Sequence, residues 1–198
     1  MKKILYSVCT ILLLTATMAT AQQSRTSLTY AVGFGTGDLG DFISQPSWRG
    51  FNVEFLKMTS TKVGVGGSFG WNVFYQENDY DTYTKGTASL SGKQYRYSNN
   101  LPILANIDYY MNPGQKINTY VGLGTGMMYT RRNTDMNLYT IEQEAWHFAL
   151  QPQIGIEIDN QYSSAFTIAA KYFYGFASGD FDKAQSYITV NVGWIFKS

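Results

Sequence analysis

Nine polar side chains stand where alternation along the chain would turn them to one interior: Glu54, Arg96, Asn106, Asp108, His147, Gln151, Gln153, Glu157 and Lys171. Each lies in a stretch whose large apolar residues occupy the opposite parity, and alternate residues of a β-strand point to opposite faces. Carboxylates, amides, an imidazole and an ammonium gathered this way have two uses. They relay protons or ions, or they pair with one another, because a buried charge without a partner is costly. The polar plug is the expectation, with Asp108 or Glu54 as the partner of Lys171 across the interior. His147 is the sole histidine. A base–nucleophile pair needs a nucleophile within reach and an acid that orients the base. Glu144 is close in sequence, but no serine stands at strand spacing beside His147, so no catalytic residue is assigned. Asp79 and Asp81 fall short of the 6–8 oxygens that calcium takes, and neither metal nor cofactor is expected. Gly122, Gly124 and Gly126 could pass for a nucleotide-binding loop, but no helix N-terminus follows to receive a phosphate. Inward glycines that make room in a narrow lumen are the expected reading.

The elements that would position these residues are strands. Around the turn Asn112-Pro113-Gly114, one face carries Leu101, Ile103, Ala105, Ile107 and Tyr109, then Val121, Leu123, Met127 and Tyr129. The other face carries amides, Asp108 and glycines. A greasy outside over a polar, glycine-rich inside is the repeat of a transmembrane β-barrel. Similar alternation predicts strands over 26–35, 49–58, 63–75, 95–110, 115–130, 144–158, 164–176 and 184–196. The connections between them alternate long, short, long, short, long, short, long. That is the pattern of outer-membrane barrels, with short periplasmic turns and long extracellular loops. The fold class expected is therefore all-β, an eight-stranded antiparallel up-and-down transmembrane β-barrel. Pro102 and Pro152 fall inside strands, where a missing N–H implies bulges or local breaks of the ladder.

Composition agrees. Charged residues make up 15% of the chain, against about 25% in soluble domains, and aromatics reach 16%. Lys2 and Lys3, an apolar stretch and Ala19-Thr20-Ala21 read as a secretory signal peptide over 1–21, leaving 22–198 as one barrel domain. The only cysteine, Cys9, lies within that signal. Beyond it no apolar run reaches 18 residues, the length of a helical span. Net charge near zero gives no global field toward nucleic acid, and no nucleic-acid partner is expected.

The start of the chain, the segment Leu101-Pro102-Ile103-Leu104-Ala105-Asn106-Ile107-Asp108-Tyr109-Tyr110, the strand Tyr120-Val121-Gly122-Leu123-Gly124-Thr125-Gly126 and the aromatic-ended last strand resemble the small outer-membrane β-barrel family. These are the porin-like, OmpA/OmpW-like barrels common in Bacteroidetes. The resemblance implies residence in the cell outer membrane, insertion by the barrel assembly machinery, and contact with membrane lipid and lipopolysaccharide as a monomer. Phe196 is followed by Lys197 and Ser198, whereas the family usually ends on the aromatic.

Aromatics at strand ends, Trp48, Tyr75, Tyr129, Trp146, Trp194 and Phe196, would form interfacial girdles. Arg49, Arg131 and Arg132 near the outer rim suit lipopolysaccharide phosphates, which match guanidinium geometry. The expected function is non-enzymatic: a barrel with a narrow, side-chain-filled lumen and a structural, adhesive or binding role carried by its loops. The alternative is an OmpW-like channel for small apolar solutes. A lipid A-modifying enzyme stands third.

Overall fold

The structure, a computed structural model, describes residues 23–85 and 87–198. The expected signal peptide and its Cys9 lie outside the described residues. The strands are β1 (Ser24–Thr36), β2 (Arg49–Met58), β3 (Val63–Lys85), β4 (Ala88–Tyr110), β5 (Ile117–Met136), β6 (Tyr139–Tyr162), β7 (Ser164–Gly175) and β8 (Gln185–Lys197). One short helix, α1 (Gly37–Phe42), follows β1. Each strand pairs antiparallel with the next, and β1 pairs with β8, which closes the eight-stranded barrel.

The predicted facing holds. Leu28, Phe55, Ile107, Leu123, Phe148, Ile154 and Trp194 are exposed on the outer wall, while their neighbours Thr29, Glu54, Asn106, Asp108, His147 and Gln153 are buried inside. An apolar outer wall of this extent has lipid as its natural solvent, and a closed ring leaves no unpaired strand edge within it.

Two features differ from the sequence expectation. The connections expected at 76–94 and 131–143 are strand. β3 and β4 run together to the pair Lys85 and Ala88, and β5 and β6 run to Met136 and Tyr139 around a two-residue turn. Asn137 supplies the positive φ of 51° that this turn requires. A spanning strand needs about 9–11 residues, whereas β3 and β4 have 23 each, β5 has 20 and β6 has 24. The excess stands above the membrane as a four-stranded sheet.

The other difference is α1, which lies in the first connection, 36–48, expected to be an irregular polar loop. Its glycines give it little intrinsic helicity, and Thr36 provides no side-chain cap. Tertiary burial holds it instead. Leu39 and Ile43 are fully buried against Phe74, Leu104, Met128, Phe173 and Tyr187 inside the barrel mouth.

Pro102 and Pro152 interrupt one ladder each without shifting it. The β3–β4 register is the same on both sides of Pro102, from Phe69↔Ile103 to Asn72↔Asn100. The β6–β7 register likewise resumes across Pro152, from Leu150↔Tyr174 to Gln153↔Lys171. The break occurs because proline lacks the ladder donor, and no bulge forms at either site.

The lumen glycines are of two kinds. A Cβ on Gly122 would sit 1.9 Å from Asp108 Oδ1, and one on Gly155 would sit 2.5 Å from the Tyr120 ring, so these two make room for side chains. At Gly66 and Gly193 the obstacle is backbone: the carbonyl oxygens of Phe55 and Leu28 lie 1.8 Å and 2.1 Å from the Cβ position. A carbonyl in a ladder cannot rotate away. Gly66→Ala is therefore expected to destabilise the barrel by roughly 1–3 kcal/mol, more than Gly67→Ala, whose nearest obstacle is 3.2 Å away. Urea unfolding of the two variants in lipid vesicles checks the order.

Candidate functional site

Along the lumen the interior divides into layers. Nearest the termini, Glu157 takes Arg25 Nη1 at 2.7 Å and Lys197 Nζ at 2.6 Å, and Lys197 also reaches Asp159 at 2.6 Å. Arg25 and Lys197 sit at the strand ends and were not among the residues expected in the network. The next layer centres on Glu54. Lys171 Nζ donates to Glu54 Oε2 and to Asn52 Oδ1, both at 2.9 Å, and Asn106 Nδ2 donates to the same Glu54 oxygen at 2.9 Å. Gln153 Nε2 donates to Asp108 Oδ1 at 2.6 Å, and Gln151 donates to Gln153 at 3.4 Å. The predicted set thus meets here, except for three members. Glu157 belongs to the layer below. Arg96 and His147 lie above: His147 Nδ1 is 2.7 Å from the carbonyl oxygen of Phe176, and its ring is edge-on to Phe181. His147 Nε2 has no hydrogen-bond partner among the described residues, so no nucleophile or carboxylate bonds to that nitrogen.

Above the ionic layers comes an apolar one that the sequence reading did not pick out. Phe74, Leu104, Met128, Phe173 and Tyr187 point inward and close around Leu39 and Ile43 of α1, with Phe173 stacked on Tyr187 at 4.7 Å. Between the layers lies a void of only about 10 Å³ beside Arg25, Glu54, Tyr110 and Tyr120, about the volume that one water needs.

The concave face of the projecting sheet stands on this plug. It forms a cleft of about 720 Å³, with Tyr83, Leu90, Met136, Tyr139 and Ile141 on its walls and Phe42, Arg96 and Arg132 at its base. Arg132 corrects the sequence reading: it was expected at the outer rim facing lipopolysaccharide, and it points inward and is buried. The even positions of β5 face the lumen, so Arg132 follows Met128 and Thr130 inward while Arg131 faces out. Arg132 Nη1 bonds Asp38 at 3.0 Å, Nη2 bonds Gln185 at 2.6 Å, and the guanidinium lies 4.2 Å from the Phe42 ring centre. The Arg96 guanidinium lies 5.1 Å from the same ring centre and donates to the Phe42 carbonyl at 2.9 Å.

Burial alone would raise the pKa of Asp38, but the hydrogen bond from Gln185, the bond and charge of Arg132 and the charge of Lys183 outweigh it and hold the carboxyl below its usual value. A carboxylate with a depressed folded-state pKa contributes stability above its unfolded pKa, about 3.9, and loses it as pH falls through the folded value. Below that point the tie between α1 and β5 weakens. NMR titration of the Asp38 side-chain carboxyl should therefore give a midpoint under 3.9, and Arg132→Gln should move it upward.

The outward arginines and aromatics occupy different ground. Arg49 is exposed beside Tyr75, and Arg131 is ion-paired with Glu142 at 2.7 Å. Trp48, Trp146, Trp194 and Phe196 are exposed on the outer wall, with Tyr75 and Tyr129 half-buried there. Tyr129 packs on Trp146 at 5.3 Å.

No protein-family model and no curated protein sequence matches the chain. Solved structures do match it. Ail, the attachment invasion locus protein of Yersinia pestis, aligns with a TM-score of 0.53 at 16% identity, covering 89% of this chain and 100% of Ail. Neisserial surface protein A aligns at 0.54 and 9% identity over 90% of this chain and 98% of its own. OprG of Pseudomonas aeruginosa gives 0.51 and 15% over 90% and 96%. This is the fold of a small outer-membrane β-barrel. In such a barrel the short turns face the periplasm and the long hairpins face outward, which places the cleft on the extracellular side.

Proposed function

We propose that the chain is a monomeric outer-membrane barrel with a closed lumen, and that it binds partners outside the cell through its projecting sheet. The observation that carries this reading is the length of β3–β6: roughly a third of each strand stands beyond the apolar wall. The outward series on β3 changes from Val73 and Tyr75 to Glu77 and Asp79, and on β5 from Met127 and Tyr129 to Arg131 and Asn133, while the β5–β6 ladder continues without a break and the β3–β4 ladder resumes across a register shift between Asn78 and Asp81. A role in anchoring alone gives no reason to build so far into solvent. Above the wall, Tyr80, Leu138, Tyr139 and Ile141 are exposed, and exposed aromatics are the residues most used for contact. The attachment named for Ail, a barrel of the same fold, is of this class. Adhesive or ligand-binding work is favoured over the OmpW-like channel because apolar and ionic layers fill the lumen in series.

Arg131 stands just above the aromatic girdle and Arg49 reaches the girdle residue Tyr75, and we place lipopolysaccharide phosphates against them, Arg49 having the freer guanidinium. Membrane lipid covers the apolar wall, and insertion falls to the barrel assembly machinery.

The test is adherence of bacteria that display the chain, compared with bacteria displaying a version cut back to two-residue turns after Tyr75 and after Tyr129. The cut barrel is expected to keep its heat-modifiable mobility and lose adherence. Equal adherence of the two would sink the reading.

A further inference from the structure

The cleft on the projecting sheet has a composition that the adhesive reading does not use. Its only charged lining residues, among those described, are Arg96 and Arg132 at the base. No carboxylate lines it. Arg132 is paired with Asp38, whereas Arg96 forms no ion pair among the described residues and bonds only the Phe42 carbonyl and Gln94. Of the two guanidiniums at the base only Arg132 has a carboxylate partner, Asp38, which Lys183 also approaches at 3.8 Å, so Arg96 stays uncompensated among the described residues. Arg132 is itself 8% exposed, and its Nε has no hydrogen-bond partner among the described residues. A buried donor left this way costs free energy that a ligand oxygen would recover. The walls above carry Leu90, Met136, Tyr139 and Ile141, interspersed with uncharged threonine, serine and glutamine side chains.

The volume of about 720 Å³ falls in the range of small-molecule sites, about 300–1,000 Å³. A folded partner does not fit such a space. Polyanions such as sulfated sugars need a row of cations, and only two line this cleft. A monoanion with a long apolar body matches both the uncompensated guanidinium of Arg96 and the apolar side chains of the walls, Leu90, Met136, Tyr139 and Ile141. Guanidinium forks match carboxylate geometry.

We propose that the cleft takes a single-chain amphiphile with one carboxylate head, its head at Arg96 and Arg132 and its chain along Met136, Tyr139 and Ile141. The proposal rests on the reading of the projecting sheet as a binding surface and names the ligand class of that surface.

Palmitate labelled with ¹³C at its carboxyl carbon is titrated into the full barrel in lipid nanodiscs, with empty nanodiscs as the blank. A saturable shift of the carboxyl resonance is expected. Its methyl ester should compete about tenfold more weakly or worse, since a charge-assisted hydrogen bond is lost, and acetate should not compete. Arg96→Gln should weaken palmitate about tenfold. Ile141→Glu, which leaves the base intact and sets a carboxylate beside the chain, should weaken it as well. Both variants are first shown to keep heat-modifiable mobility. Equal competition by ester and acid, displacement by acetate, or unchanged affinity in both variants overturns the proposal. Loss of adherence on cutting the hairpins with no palmitate binding sinks the ligand class alone. Palmitate binding with unchanged adherence supports the ligand class and sinks the adhesive reading instead.

Discussion

Replacing Lys171 with methionine lowers the unfolding free energy by about 3–5 kcal/mol. Lys171 is 4% exposed and Glu54 5%, so neither charge has bulk water to fall back on. Methionine keeps the stem of the side chain and removes the ammonium, which leaves Glu54 with Asn106 as its remaining donor. Asp108 has no hydrogen-bond partner at Oδ2 among the described residues, so the layer would hold two acidic side chains and no cation. The second half of the prediction separates charge from packing. Adding Glu54→Gln to Lys171→Met should recover much of the loss, because the penalty comes from an unpaired buried charge rather than from the missing pair. Urea unfolding in lipid vesicles, followed by tryptophan fluorescence, measures both. A loss below about 1 kcal/mol for the single variant would show Glu54 solvated as surface ion pairs are. That would mean a wet lumen and would reopen the channel reading.

Alternation made the barrel legible because lipid and lumen impose opposite chemistry on adjacent residues. The same cause explains where the expected strand ends went wrong. On β3 the outward face is apolar to Tyr75, on β4 from Tyr97, on β5 to Tyr129 and on β6 from Trp146. These are close to the ends expected from sequence, and they mark the lipid boundary. Above it both faces meet water, so the two-residue hydrophobic period fades while the hydrogen-bond ladder continues. The pairs Lys93–Glu77 at 2.6 Å and Arg131–Glu142 at 2.7 Å stitch the projecting strands with charge in place of apolar contact. Hydrophobic periodicity reads the solvent and not the ladder.

The site was less legible than the fold. Parity placed Glu54, Lys171, Asp108 and Gln153 in the lumen, and Glu54 was one of the two partners expected for Lys171. Parity also places Phe74, Leu104, Met128 and Phe173 inside. A reading that reserves the interior for polar groups passes over them. Helix α1 gives almost no local signal, since a Gly-Asp-Leu-Gly-Asp-Phe segment has poor propensity and gains its shape from the pocket that receives Leu39. Arg132 needed one more fact, that β5 continues past Thr130. Once the strand is extended, parity turns Arg132 inward toward Asp38.

Leu39→Ala tests how the upper seal is held. Leu39 is fully buried in the apolar layer, and deletions of this kind cost about 2–5 kcal/mol. The loss should fall on the first extracellular connection and not on the barrel, because α1 shares no ladder with β3–β7. Its ties are packing, the Asp38–Arg132 and Asp38–Gln185 bonds, the bond from Arg96 to the Phe42 carbonyl, the Lys183–Asp38 pair and an isolated bridge between Gly37 and Gln185 of β8. Local opening is governed by such contacts, so amide exchange at Ile43, whose N–H bonds the Leu39 carbonyl at 2.8 Å, should quicken by about thirtyfold or more. Exchange in β7 and β8 below the mouth should stay as in the parent. Planar bilayers holding the variant should remain without single-channel steps, because the Glu54–Lys171 layer lies beneath α1 and does not depend on it. Current steps in Leu39→Ala would show that α1 is the only seal, and that the ionic layer passes solute once the helix lifts.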